Sequence, residues 1–218
     1  MHTLRHVDDR LLLAVNAFAR ATGWLHPLVV GYAKYGVVLF AALLLTGLLT
    51  ARGGSSRELA GAGWACLATP LAVALNQPIG HLFSEHRPYA THPDLLVLAD
   101  RTADFSFPSD HAVMAGAVAA ALLLVSRRLG SAALAAALVM AFARVYIAAH
   151  YPWDVVLGLA LGAAVSLLGW LVLRTPLTAL TDWLRRRPGL SLVFATHPGA
   201  TGRPVAADPA TTEMEHQR

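Results

Sequence analysis

The stretch FSFPSDHAVMAGAVAAALLLV, residues 105–125, joins two kinds of chemistry. Ser109, Asp110 and His111 stand side by side at its mouth, and apolar residues then run unbroken from 112 to 125. Such a run reads as a helix passing into lipid, and here it is entered through three polar, proton-handling groups.

The rest of the chain shares the apolar character. Its 218 residues are 56% hydrophobic and 14% charged, whereas a soluble domain carries about a quarter charged residues. Five stretches, residues 27–50, 59–83, 107–125, 129–148 and 153–173, have about the 17–25 residues an apolar helix needs to cross a bilayer. Backbone exposed to lipid must satisfy its hydrogen bonds within each segment. The expected fold is therefore all-α, a polytopic membrane helix bundle of five to six transmembrane helices.

Residues 1–24 are expected to form an amphipathic helix lying on the membrane. Asp8 and Asp9 interrupt a basic start, and the apolar run that follows is broken by Asn16 and closed by Arg20, unlike a cleaved signal peptide. Leu11, Leu12, Val15, Phe18 and Ala19 recur at helical spacing. A short sixth span is the alternative. Residues 25–175 form the membrane domain, and 176–218 are expected to be a cytoplasmic basic segment with a disordered tail rich in Pro, Gly, Ala and Thr.

Arg52 and Arg57, Arg127 and Arg128, and Arg174 with Arg185, Arg186 and Arg187 flank the spans on one side. By the positive-inside rule these regions are cytoplasmic, leaving the 83–106 loop and the 150–152 turn facing outward. The net charge of +4 reflects these arginines, and no basic stripe with interleaved aromatics points to nucleic acid. Cys66 is the one cysteine, so no intrachain disulfide forms.

Polar residues gather on the outward side from three places: Arg87 in the loop, Ser109–Asp110–His111, and Arg144 with His150 and Asp154. Arg144 lies in the last turns of its helix, where an embedded arginine needs a partner. His150 leaves that helix, and Asp154 falls in the first turn of the next, where its carboxylate is expected to accept from one imidazole nitrogen and free the other to attack. Ser109 is a candidate N-cap, and the free N–H groups of a helix start attract phosphate. His111 suits proton transfer, and Arg87 and Arg144 offer fork geometry to phosphate oxygens. Together these groups describe a phosphoryl-transfer site.

Three segments, GHLFSEHRP (residues 80–88), PSDH (108–111) and ARVYIAAHYPWD (143–154), carry a resemblance to the type 2 phosphatidic acid phosphatase superfamily, whose motifs are KxxxxxxRP, PSGH and SRxxxxxHxxxD. The resemblance implies that His150 is the nucleophile forming a phosphohistidine, that Asp154 orients it, and that His111 is the general acid and later the base. It implies that Arg87, Ser109 and Arg144 hold phosphate, with no metal and no cofactor. The partners it implies are the bilayer and a polyprenyl or phospholipid phosphate, in the cell membrane.

Gly80 stands where the resemblance expects lysine, Ala143 where it expects serine, and Asp110 where it expects glycine. The PSDH form looks like the undecaprenyl pyrophosphate phosphatase, or bacitracin-resistance, branch, which places Asp110 among the candidate substrate-binding residues and implies a diphosphate substrate. Lys34, the one lysine in the chain, lies inside the first span and is a candidate to reach a substrate's second phosphate in place of the missing motif lysine; the alternative is that it snorkels to the outer interface. The alternatives are a phosphatidate or phosphatidylglycerophosphate phosphatase of the same superfamily, a transporter, or an inactive lipid-binding relative. Against the transporter, the polar groups collect at one membrane face rather than at the midplane.

Overall fold

A computed structural model describes residues 2–187. All regular structure among them is helical: α1 (His2–Ala21), a 3₁₀ turn (Gly23–Leu25), α2 (His26–Ala51), α3 (Ser56–Phe83), α4 (Pro88–Thr91), α5 (Asp110–Val125), α6 (Arg127–Tyr146) and α7 (Pro152–Arg185). The chain is a multi-pass membrane helix bundle. Gly23–Ala51, Ser56–Thr91, Arg127–Tyr146 and Pro152–Arg185 are long and apolar enough to cross a bilayer.

The expected span at 107–125 differs from the other four. Its helix, α5, has only 16 residues, about 24 Å at 1.5 Å per residue. Packing explains the shortness: α5 is the central helix, surrounded by α2, α3, α6 and α7, with most residues from Ala112 to Leu122 buried. A helix packed against four others over most of its length, exposing only Leu123 and Leu124 near its end, has little lipid thickness to match.

Small residues let α7 approach α5. A Cβ on Gly162 would lie 1.9 Å from the Val113 carbonyl oxygen, and one on Gly116 would lie 2.2 Å from that of Leu159. Gly158 and Gly162 thus form a small-residue seam that allows near backbone contact. Ser166 adds a hydrogen bond from its hydroxyl to the Ala117 carbonyl at 3.0 Å, and Trp64 of α3 donates to the Ser166 carbonyl at 2.8 Å.

Helix ends follow local chemistry. Ser55 and Glu58 cap α3 reciprocally, at 3.2 and 2.7 Å. Pro152 opens α7, where its missing N–H is harmless. α7 then continues beyond the expected domain end at 175 to Arg185, whose guanidinium donates to the Arg52 carbonyl at 3.3 Å. This contact puts the α2–α3 turn and the end of α7 at one end of the bundle. The tail from 188 onward lies outside the described residues.

The expected N-terminal helix is present as α1. It buries Leu12, Asn16 and Ala19 and exposes Val7, Leu11 and Phe18. Asn16 grips Leu96 of the long loop twice, donating to its carbonyl at 2.8 Å and accepting from its amide at 3.0 Å. Arg20 donates to the Asp94 carbonyl, and Asp8 accepts from the Trp153 amide at 3.0 Å. α1 therefore braces the same end of the bundle that holds the gathered polar residues.

Candidate active site

The three sequence segments converge on one cavity of about 330 Å³. Arg87, Asp110, His111, Arg144 and His150 line it, and Lys34 of α2 joins them. α5 brings His111 in its first turn, and α6 brings Arg144 in its last. The chain then reverses through Ala148, whose φ of 58° is left-handed and costs an alanine roughly 1–2 kcal/mol. That reversal returns His150 to the cavity, where it is buried.

The geometry around His150 corrects one expectation. Its Nδ1 lies 2.7 Å from the Ser106 carbonyl oxygen and 3.6 Å from Asp154 Oδ2. A carbonyl can only accept, so Nδ1 carries the hydrogen and the main chain fixes the tautomer. Asp154 is occupied otherwise: Oδ2 accepts from the Ser106 hydroxyl and, at 2.9 Å, from the Tyr151 amide. A carboxylate at the third position of α7 reaches back to the N-cap amide, which draws it away from the imidazole.

The tautomer leaves Nε2 with its lone pair. Arg87 Nη1 and Arg144 Nη2 each approach that nitrogen at 3.2 Å. Burial, then the charges of Arg144 and Arg87, push the His150 pKa well below its ordinary value. His150 is therefore a neutral imidazole with its lone pair facing two cations.

Arg87 is itself held. Nε and Nη2 donate to the two carboxylate oxygens of Asp104 at 3.0 and 2.9 Å, and Nη1 donates to the Ala149 carbonyl at 3.0 Å. Burial alone would raise the Asp104 carboxyl, but hydrogen bonds from Arg87 and Thr102 outweigh it and hold the pKa below the usual value. Asp104 and Ser106 were not anticipated from sequence, because neither belongs to a spaced motif.

Ser109 is the N-cap residue of α5, but its side chain makes no capping bond. Its amide instead donates to the Asp154 carbonyl at 3.2 Å, and its buried hydroxyl has no partner. Arg144 Nε is likewise buried and unpartnered. Asp110 accepts from Asn76 at 2.7 Å and Gln77 at 3.0 Å, which ties the start of α5 to α3. A carboxylate on the cavity wall opposes phosphate, so this anchoring accounts for Asp110 better than a substrate contact does. His81 packs edge-on against Phe105, and His86 lines a separate cavity with Arg5, Asp8 and Glu85.

A neutral buried imidazole facing two arginines, with a second histidine on the same wall, is an arrangement suited to phosphoryl transfer. Residues 61–177 match the PAP2 superfamily, and the chain belongs to that family. It is similar to undecaprenyl-diphosphatase BcrC of Bacillus subtilis (strain 168), 28% identical over 162 residues that cover 74% of this chain and 82% of the relative. It is also similar to decaprenylphosphoryl-5-phosphoribose phosphatase of Mycobacterium tuberculosis (strain H37Rv), 40% identical over 49% of this chain and 55% of the relative. The solved structure of a transmembrane PAP2 type phosphatidylglycerolphosphate phosphatase from Bacillus subtilis shares the fold. Its TM-score is 0.57 at 18% identity, over 86% of this chain and 90% of that one. The protein is a membrane phosphatase, a hydrolase of the PAP2 family.

Proposed function

We propose that this phosphatase hydrolyses undecaprenyl diphosphate to undecaprenyl phosphate and inorganic phosphate, through a phosphohistidine at His150. The observation that carries the reading is the lone pair of His150 Nε2, set 3.2 Å from both Arg87 and Arg144. Similarity to an undecaprenyl-diphosphatase over most of both chains supports the lipid diphosphate.

In the first step Nε2 attacks the terminal phosphorus and the bond from phosphorus to the bridging oxygen breaks. His111 gives its proton to that oxygen, and the lipid monophosphate leaves. Arg87 and Arg144 hold the non-bridging oxygens, where charge-assisted bonds are strong. The buried N–H of Arg144 and hydroxyl of Ser109 offer further donors. In the second step His111 takes a proton from water, the water oxygen attacks phosphorus, and the N–P bond breaks. Asp154 acts through Ser106, which holds the imidazole by its carbonyl.

The site lies at the end of the bundle opposite Arg52, Arg127 and Arg185, and the positive-inside rule supports an outer-face location in the cell membrane. There the reaction recycles a lipid carrier used in building peptidoglycan, and a high capacity for it would confer resistance to bacitracin.

The test is phosphate release by the purified protein in EDTA from undecaprenyl diphosphate, phosphatidate and phosphatidylglycerophosphate. The reading expects the highest kcat/KM for the diphosphate and none in His150→Ala. A preference for either glycerolipid overturns the substrate, and full activity in His150→Ala overturns the nucleophile.

A further inference from the structure

One strap of the outer loop carries two carboxylates, and each holds a cation of the cavity wall. The amides of Leu98 and Ala99 anchor one end of the strap to the Ile147 carbonyl at 3.2 and 3.1 Å. Tyr89 anchors the other, its hydroxyl accepting from the Thr102 amide at 3.0 Å. Asp104 grips Arg87 with two bonds, and the Arg87 side chain is 9% exposed. Four residues earlier, Asp100 meets the Lys34 ammonium of α2 at 3.3 Å, with side chains 84% and 57% exposed.

The two pairs differ in kind. The inner pair is bidentate and shielded by protein on its arginine side. The outer pair is a single contact between two largely exposed side chains, and an exposed pair contributes little and is easily exchanged. A phosphate entering the cavity therefore leaves Asp104 on Arg87, yet it can displace Asp100 from Lys34.

We propose that Lys34 is the cation of a second phosphate subsite, with Asp100 its exchangeable counter-ion, so that the pair selects diphosphates over monophosphates. The inference rests on the phosphatase reading of this cavity. The terminal phosphoryl group sits at His150, Arg87 and Arg144. The second phosphate, which bears the hydrocarbon chain, lies toward α2. When the bridging P–O bond breaks, charge develops on that second phosphate, beside Lys34 and within reach of the proton from His111. A monoester carries carbon at the same place and leaves Asp100 on Lys34.

Position 80 agrees with this assignment. A Cβ there would lie at an ordinary 3.4 Å from the Phe107 carbonyl oxygen, so sterics do not require glycine. Charge at that position is dispensable if α2 supplies it.

The test compares farnesyl diphosphate with farnesyl monophosphate as substrates of purified Lys34→Met, Lys34→Arg and Asp100→Asn. Lys34→Met is expected to lower the diphosphate-to-monophosphate ratio of kcat/KM about tenfold, as loss of one charge-assisted contact implies. Lys34→Arg keeps the ratio near that of the parent, and Asp100→Asn maintains or raises it. Inhibition gives a second readout: Lys34→Met weakens competition by pyrophosphate but not by inorganic phosphate. An unchanged ratio together with unchanged pyrophosphate inhibition removes the subsite while leaving the phosphatase intact. A parent protein that hydrolyses neither probe overturns both readings.

Discussion

The imidazole of His150 donates from Nδ1 to the carbonyl oxygen of Ser106 at 2.7 Å, an acceptor that no side-chain substitution removes. This geometry limits what Asp154 contributes. Where a carboxylate alone fixes the tautomer of a catalytic histidine, its amide replacement costs about 10⁴ in kcat. Here Asp154→Asn should cost roughly 10–100-fold, the range for a group that steadies another ligand. KM should change little, and ¹⁵N NMR should find the His150 hydrogen still on Nδ1. Transfer of that hydrogen to Nε2 in the variant would refute the argument.

A low His150 pKa has a consequence for folding. Between the folded value and 6.5 the unfolded chain binds a proton on this ring and the folded protein does not. Stability therefore rises with pH across that window and falls as the solution is acidified through it. The slope from this one ring is at most about 1.4 kcal/mol per pH unit. Thermal melts in detergent from about pH 6.5 downward should decline less steeply for His150→Gln than for the parent. Equal slopes would mean that His150 titrates alike in both states.

His111 makes no hydrogen bond among the described residues, so its imidazole is free to serve the cavity it lines. As donor to the leaving oxygen, it should matter in proportion to leaving-group basicity. His111→Ala should lose about 10²–10⁴-fold in kcat on a lipid diphosphate. On p-nitrophenyl phosphate, whose leaving group departs without a proton, the loss should be smaller by at least about tenfold. A uniform loss on both would assign His111 to binding instead.

The α5–α7 seam offers a structural test. Gly162→Ala would drive a methyl into the Val113 carbonyl, an overpacking worth about 1–3 kcal/mol. α7 would have to move from α5, carrying His150 and Asp154 away from His111, so Tm and kcat should fall together. Gly63→Ala, where a Cβ meets nothing within 4 Å, should lower neither.

The convergence of Arg87, His111, Arg144 and His150 was legible in the sequence because phosphoryl transfer restricts both residue type and spacing. Four spans were legible because lipid imposes length and hydropathy on any helix that touches it. α5 carried the same apolar signal, but its 16 residues answer to neighbouring helices, and hydropathy is blind to that difference. Ser106 was silent because it holds His150 through a carbonyl that every residue possesses. Asp104 sits in a loop without periodicity, and only the folded strap brings it to Arg87. Ser109 was expected to cap its helix, but the hydroxyl is turned into the interior and makes no bond.

The burial of α5 also sets what His111 experiences from the bilayer. Membrane thickness acts on helices in contact with lipid, which tilt or shift to match it. α2, α3, α6 and α7 present that surface, whereas His111 rides on a helix clamped to α7 by backbone contact and to α3 through Asp110. Thinning or thickening the membrane should tilt the peripheral helices around a nearly stationary His111, so turnover should depend far less on bilayer thickness than the bundle's own tilt does.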